Sequence, residues 1–136
     1  MKKMTLLRAG LAALAVVGAA GVHAEDVGAT TCFKITTPDK PKLWNRLVVQ
    51  TAGSEIVGGT ITKHVCTGSY KVTGGSLTES NLEMNTEPGR VSPNCSHKIN
   101  YSAVKTGPHT YTGTYYATDD VPPVYFPFVA KLHACW

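Results

Sequence analysis

The sequence predicts an all-β domain, an antiparallel up-and-down (meander) barrel of about eight strands. Three observations carry this. Short runs rich in Thr, Val, Tyr, Ile and Phe alternate apolar and polar residues. Clusters of Gly, Pro, Asn and Asp separate those runs at short intervals. Beyond the leader, no stretch shows a sustained helical period with caps.

The elements follow in order. The first strand spans Thr31–Thr37 and closes at Pro38-Asp39-Lys40-Pro41. The second, Leu43–Thr51, leads through Ala52-Gly53-Ser54 into the third, Glu55–His64. The fourth, Val65–Thr73, begins without a turn signal, so Glu55–Thr73 also reads as one long bent strand. Gly74-Gly75 tolerates positive φ at both positions and predicts a two-residue hairpin into the fifth strand, Ser76–Asn85. Thr86–Asn94, with its Pro-Gly and Pro-Asn pairs, is the longest predicted loop. The sixth strand is Cys95–Val104, and Gly107-Pro108 separates it from the seventh, Thr110–Thr118. The Pro-rich loop Asp119–Pro123 then leads to the eighth, Val124–Cys135.

Alternation assigns the faces. Val57, Gly59, Ile61 and Val65 share the apolar face of the third strand. Tyr70 and Val72 share that of the fourth, Ile99, Tyr101 and Ala103 that of the sixth, and Tyr111, Gly113, Tyr115 and Ala117 that of the seventh. Phe126, Phe128, Ala130 and Leu132 line the eighth. In the fifth, Leu82 and Met84 face in while Leu77 has the wrong parity, which predicts a bulge. One apolar face per strand fits antiparallel strands around a single interior. Short links favour sequential neighbours, and closing such a meander removes its exposed edges.

Trp44 on an early strand and the segments Gly68-Ser69-Tyr70 and Tyr111-Thr112-Gly113-Thr114-Tyr115-Tyr116 resemble the calycin-type barrels, the lipocalin and avidin group. The resemblance spans the downstream domain as a pattern and implies the architecture only. The Gly-x-Trp signature of lipocalins is missing, since Lys42-Leu43 precede Trp44. An immunoglobulin-like β-sandwich is the alternative, from the Cys32 to Trp44 separation.

Residues 1–24 read as a secretory signal peptide. Lys2, Lys3 and Arg8 precede an apolar run, and Val22-His23-Ala24 places cleavage before Glu25. The expected product is one domain, residues 25–136, secreted or periplasmic, with no membrane insertion after cleavage. Three of the 13 basic residues lie in the leader and none of the nine acids do. Ten bases against nine acids give no argument for nucleic acid or an anionic membrane as partner.

Export lets all four cysteines oxidise. Cys32 and Cys135 sit on the polar faces of the first and last strands, which closure brings together, whereas Cys66 and Cys95 sit on apolar faces. Parity therefore predicts Cys32–Cys135 with Cys66–Cys95. The spacings His64-x-Cys66, Cys95-x-His97 and His133-x-Cys135 put Cys and His on one face. Oxidised cysteines are no thiolate ligands, so no metal is assigned, and a His64/His97 pair stays open. No Gly-x-Ser-x-Gly elbow, His-Glu-x-x-His or phosphate loop occurs. The reading is therefore no enzyme and no cofactor.

The aromatic residues are the remaining signal. Tyr70, Tyr101, Tyr111, Tyr115, Phe126 and Phe128 share inward parity. They either fill the core or line a cup in which hydroxyls orient a ligand, and interspersed Gly59, Gly68 and Gly113 leave room. The leading expectation is a non-enzymatic protein binding a small apolar or aromatic ligand. The alternative is a protein-interaction module, such as an inhibitor of a secreted hydrolase or an envelope assembly factor, presenting Thr86–Asn94 and Asp119–Pro123.

Overall fold

The computed structural model describes residues 28–63, 68–91 and 97–136. Eight strands run β1 (Gly28–Thr37), β2 (Lys40–Ala52), β3 (Glu55–Lys63), β4 (Gly68–Leu77), β5 (Asn81–Val91), β6 (Ile99–Gly107), β7 (Thr110–Ala117) and β8 (Phe126–His133). They form one closed barrel in sequence order. All neighbours are antiparallel, and β1 closes the ring against β8 from Cys32↔His133 to Thr36↔Val129. Closure rules out the immunoglobulin-like sandwich, because β1 pairs with both β2 and β8 and leaves no second sheet.

The core is the inward parity set. Phe33, Ile35, Leu47, Val49, Ile61, Val72, Leu82, Met84, Phe128 and Ala130 are essentially inaccessible to solvent. Each of these side chains larger than Ala130 contributes about 1.5–3 kcal/mol through burial. Thr86 is buried among them, and its hydroxyl donates to the Ile99 carbonyl at 2.8 Å, so no polar atom is stranded there. At one end, called lower here, lie the turns at Gly53-Ser54, Thr78–Ser80 and Pro108-His109. Across that end the Tyr111 hydroxyl donates to the Thr78 carbonyl at 2.8 Å, tying β7 to the β4–β5 turn. The upper end carries the β1–β2 turn and the β7–β8 connection.

Three local expectations are corrected. The Gly74-Gly75 hairpin does not form; β4 runs through both glycines to Leu77 and turns at Thr78–Ser80. The register slips between Val72 and Gly74, and Gly75 adopts φ +134° where a Cβ would overlap the Glu83 carbonyl of β5. The glycines serve a bulge and a close strand approach, not a turn. Val57 is 57 % exposed, because a bulge opposite Gln50 and Thr51 turns Ile56 inward in its place. Residues 86–91 of the expected long loop belong to β5, where Thr86 pairs with Val72 and Pro88 with Tyr70.

Cys32 and Cys135 are bonded, with Cα atoms 5.1 Å apart. Cys32 has the outward parity expected, opposite Phe33. Cys135, however, lies beyond the end of β8 and reaches Cys32 from the tail that follows. That tail covers Cys32, which is buried although it points away from the core. Cys66, Cys95 and His64 lie outside the described residues, as does the whole leader, so their expected pairing and cleavage fall there too.

Candidate functional site

Four of the six inward aromatics form a ladder at the upper end. Phe126 and Tyr115 are stacked with centroids 5.4 Å apart. Tyr115 meets Tyr101 at 5.3 Å, and Tyr101 meets Phe128 edge-on at 5.3 Å. The register explains the contacts: Tyr115 lies opposite Tyr101 on β6 and Phe126 on β8. Gly113 sits between Ala103 and Phe128, where a Cβ would overlap the backbone of β6. The glycines read from sequence as room for a ligand are thus needed by the backbone itself at Gly113.

Burial grades along the ladder. Phe128 and Tyr101 are buried, Tyr115 is partly exposed, and Phe126 is 46 % exposed at the rim. Tyr70, on β4 across the barrel, is buried and close enough to Tyr101 for their charges to interact. Tyr111 is separate; it packs against Phe33 at 5.8 Å at the lower end. Burial pushes the Tyr101 hydroxyl far above the ordinary phenol range, and the neighbouring Tyr115 and Tyr70 add to it. Burial also raises Tyr70, and raises Tyr115 with help from the charge of Asp39. These hydroxyls remain neutral near neutral pH, so they can orient a ligand but not act as bases.

The β7–β8 connection extends the ladder into solvent. Val121 is 93 % exposed, and Val124 and Tyr125 are exposed beside it. Tyr125 is braced by Tyr116, with ring centroids 5.2 Å apart. The start of the same connection is pinned by an ion pair from Asp119 Oδ2 to His97 Nδ1, just before β6, at 2.7 Å. The pair raises the His97 pKa and lowers that of Asp119, in each case mainly through their hydrogen bond. Among the described residues no three His, Cys, Asp or Glu side chains gather to hold a metal ion.

A second aromatic cluster lies on the outside of the barrel and was not read from the sequence. Trp44, His133 and Trp136 are nearly parallel, with His133 and Trp136 4.5 Å apart and Trp44 and Trp136 5.8 Å apart. Trp44 is opposite Thr36 and shares parity with Arg46, so it faces away from the core. Its parity was visible in the sequence, but Trp136 reaches it only because the disulfide turns the tail across β1.

The fold is thus that of a small up-and-down β-barrel that carries aromatic side chains at its upper rim and on its outer face. Compared with known proteins, the chain matches no family model, no curated protein and no solved structure.

Proposed function

We propose that this is an exported, non-enzymatic binding protein that takes a small apolar or aromatic ligand at the upper end of its barrel. The observation carrying the proposal is the graded ladder, continuous from buried Phe128 to exposed Phe126. An aromatic ligand seated on Phe126 would extend the stack by one ring, an interaction worth about 0.5–1.5 kcal/mol beyond the area it buries. The leader pattern and the Cys32–Cys135 bridge support an oxidising, secreted or periplasmic setting.

Titration with Nile red, and native mass spectrometry of protein purified from the exported fraction, test this reading. Binding that Phe126→Ser weakens by about tenfold while the fold persists is the expected result. A Phe126→Ser protein that binds as tightly as the parent, or a parent that binds nothing, overturns it.

A protein-interaction module is the second reading, supported by the exposed run from Val121 to Phe126. An apolar, Pro-stiffened loop held at its base by His97–Asp119 suits insertion into a partner's groove. Replacing Val121 and Val124 by Ser separates the two readings. It abolishes co-purification of a stoichiometric protein under the second and leaves Nile red binding intact under the first.

A further inference from the structure

The near-neutral charge of the domain conceals a segregated surface. The strands β8, β1 and β2 are consecutive in the barrel, and none of their residues is Asp or Glu. They carry Lys131, Lys34, Lys42 and Arg46, whereas Glu83 and Glu87 lie on β5. The register places Arg46, Lys34 and Lys131 directly opposite one another in a single row across three strands. Neighbouring strands are about 4.8 Å apart, so the three heads can converge on one anionic group. Like charges placed directly opposite one another cost stability, and an anion bound across the row would relieve that cost.

The barrel supplies only part of that compensation. Lys34 Nζ lies 4.9 Å from the Trp44 ring centre, and Arg46 Cζ lies 5.4 Å from that of Trp136. Such contacts steady a cation by about 0.5–1 kcal/mol at exposed sites and leave it charged. Among the described residues the sole ion pair is His97–Asp119, at the upper end. Beside the row is a groove of about 360 Å³ lined by Lys42, Leu43, Trp44, Arg46 and Thr62. Its volume lies within the range of small-ligand sites. The Trp44 indole forms an apolar wall, two cations flank it, and a Thr hydroxyl supplies a donor and an acceptor.

We propose that this groove binds an organic anion, a flat apolar body bearing a sulfonate, phosphate or carboxylate. The body lies against Trp44, and its charged group meets Arg46 with Lys42 or Lys34. Charge complementarity selects the anion, and the ring-lined wall selects the body. The site is on the opposite side of the sheet from the ladder, and it stands whether or not a ligand binds there.

Both tryptophans of the chain belong to this face, so tryptophan fluorescence reports on it alone. Naphthalene-1-sulfonate and naphthalene-1-methanol share the same ring body and differ in charge, and each is titrated into the folded protein. The sulfonate should quench the tryptophans and bind at least about tenfold more tightly than the alcohol. Raising salt from about 50 to about 300 mM should weaken it. Arg46→Glu should weaken it by a further tenfold or so, and Lys34→Gln less. Lys105→Gln, a charge removed from β6, should leave it unchanged. If Arg46→Glu fails to fold, Lys34→Gln and Lys42→Gln together carry the same expectation. Equal affinity for alcohol and sulfonate, indifference to the Arg46 or Lys34 and Lys42 changes, or binding of heparin or an oligonucleotide but not of the sulfonate overturns the proposal.

Discussion

Inside the barrel, Phe126, Tyr115, Tyr101 and Phe128 stack because inward parity and strand register set them side by side. Outside it, Trp44, His133 and Trp136 stack on a face where parity puts Thr and Lys. The inner set is anchored by Tyr101 and Phe128, which are removed from water, while Tyr115 and Phe126 lead out to the rim. The outer set is held by a covalent tether, since the tail carrying Trp136 is fixed to β1 by Cys32–Cys135. The same kind of ring therefore does two jobs. Within the wall it supplies stability, and on the wall it builds a surface that stability alone does not require.

Truncating a ring on each side sharpens that contrast. Phe128→Ala removes a fully buried ring touching Tyr101 and Tyr115, and should destabilise the fold by about 3–5 kcal/mol in denaturant unfolding. A loss below about 1 kcal/mol would mean that the interior is not packed around it.

Breaking the tether comes next in size. Its ends are 103 residues apart, for which the chain-entropy argument gives about 4–5 kcal/mol and practice more often about 2–4. Cys32→Ser with Cys135→Ser should lower the unfolding midpoint accordingly. Before unfolding it should also shift tryptophan emission towards that of exposed indole, while the near-ultraviolet signal of the interior tyrosines persists. Parallel loss of both signals would show that the two clusters are one cooperative unit.

Trp136→Ala should cost only about 0.5–1.5 kcal/mol, since the ring is half exposed and contributes mainly its stacking. The smallest effect belongs to His97 and Asp119, both well exposed. The raised His97 pKa gives a contribution that is present below the unfolded imidazole value of about 6.5 and lost as pH rises through the folded value. The lowered Asp119 pKa gives one present above about 3.9 and lost as pH falls through the folded value. The pair should thus hold the β7–β8 connection best between these limits. An NMR titration should find His97 above the usual imidazole range, and Asp119→Asn should return it there.

Much of the interior was legible from residue order. The alternation of Ile99, Tyr101 and Ala103 and of Tyr111, Gly113 and Tyr115 put the correct side chains inside, because parity on a regular strand needs no knowledge of the partner. Parity failed where strands are irregular. Val57 looked inward and Gly74-Gly75 looked like a turn, because glycine's tolerance of positive φ serves hairpins and bulges alike. Only the approach of β5 to Gly75 decides between them. Likewise Pro88 looked like loop, yet it pairs with Tyr70 within β5.

The candidate sites divide in the same way. The ladder's members were named by parity, but the separation of Tyr111 and the exposure of Phe126 depend on depth along the barrel, which parity does not encode. The cationic row joins Lys34 and Arg46 near the start of the domain to Lys131 near its end. A net charge cannot reveal it, because summation discards position. By itself, the sequence determined an antiparallel, one-core meander, since this rests on local periodicity and on the need of edge strands to be paired; it named Cys32 with Cys135 at the seam, although Cys135 makes that bond from the tail beyond β8. The tertiary structure alone decided which residues share the outer face of β8, β1 and β2, because that face exists only once closure sets the last strand beside the first.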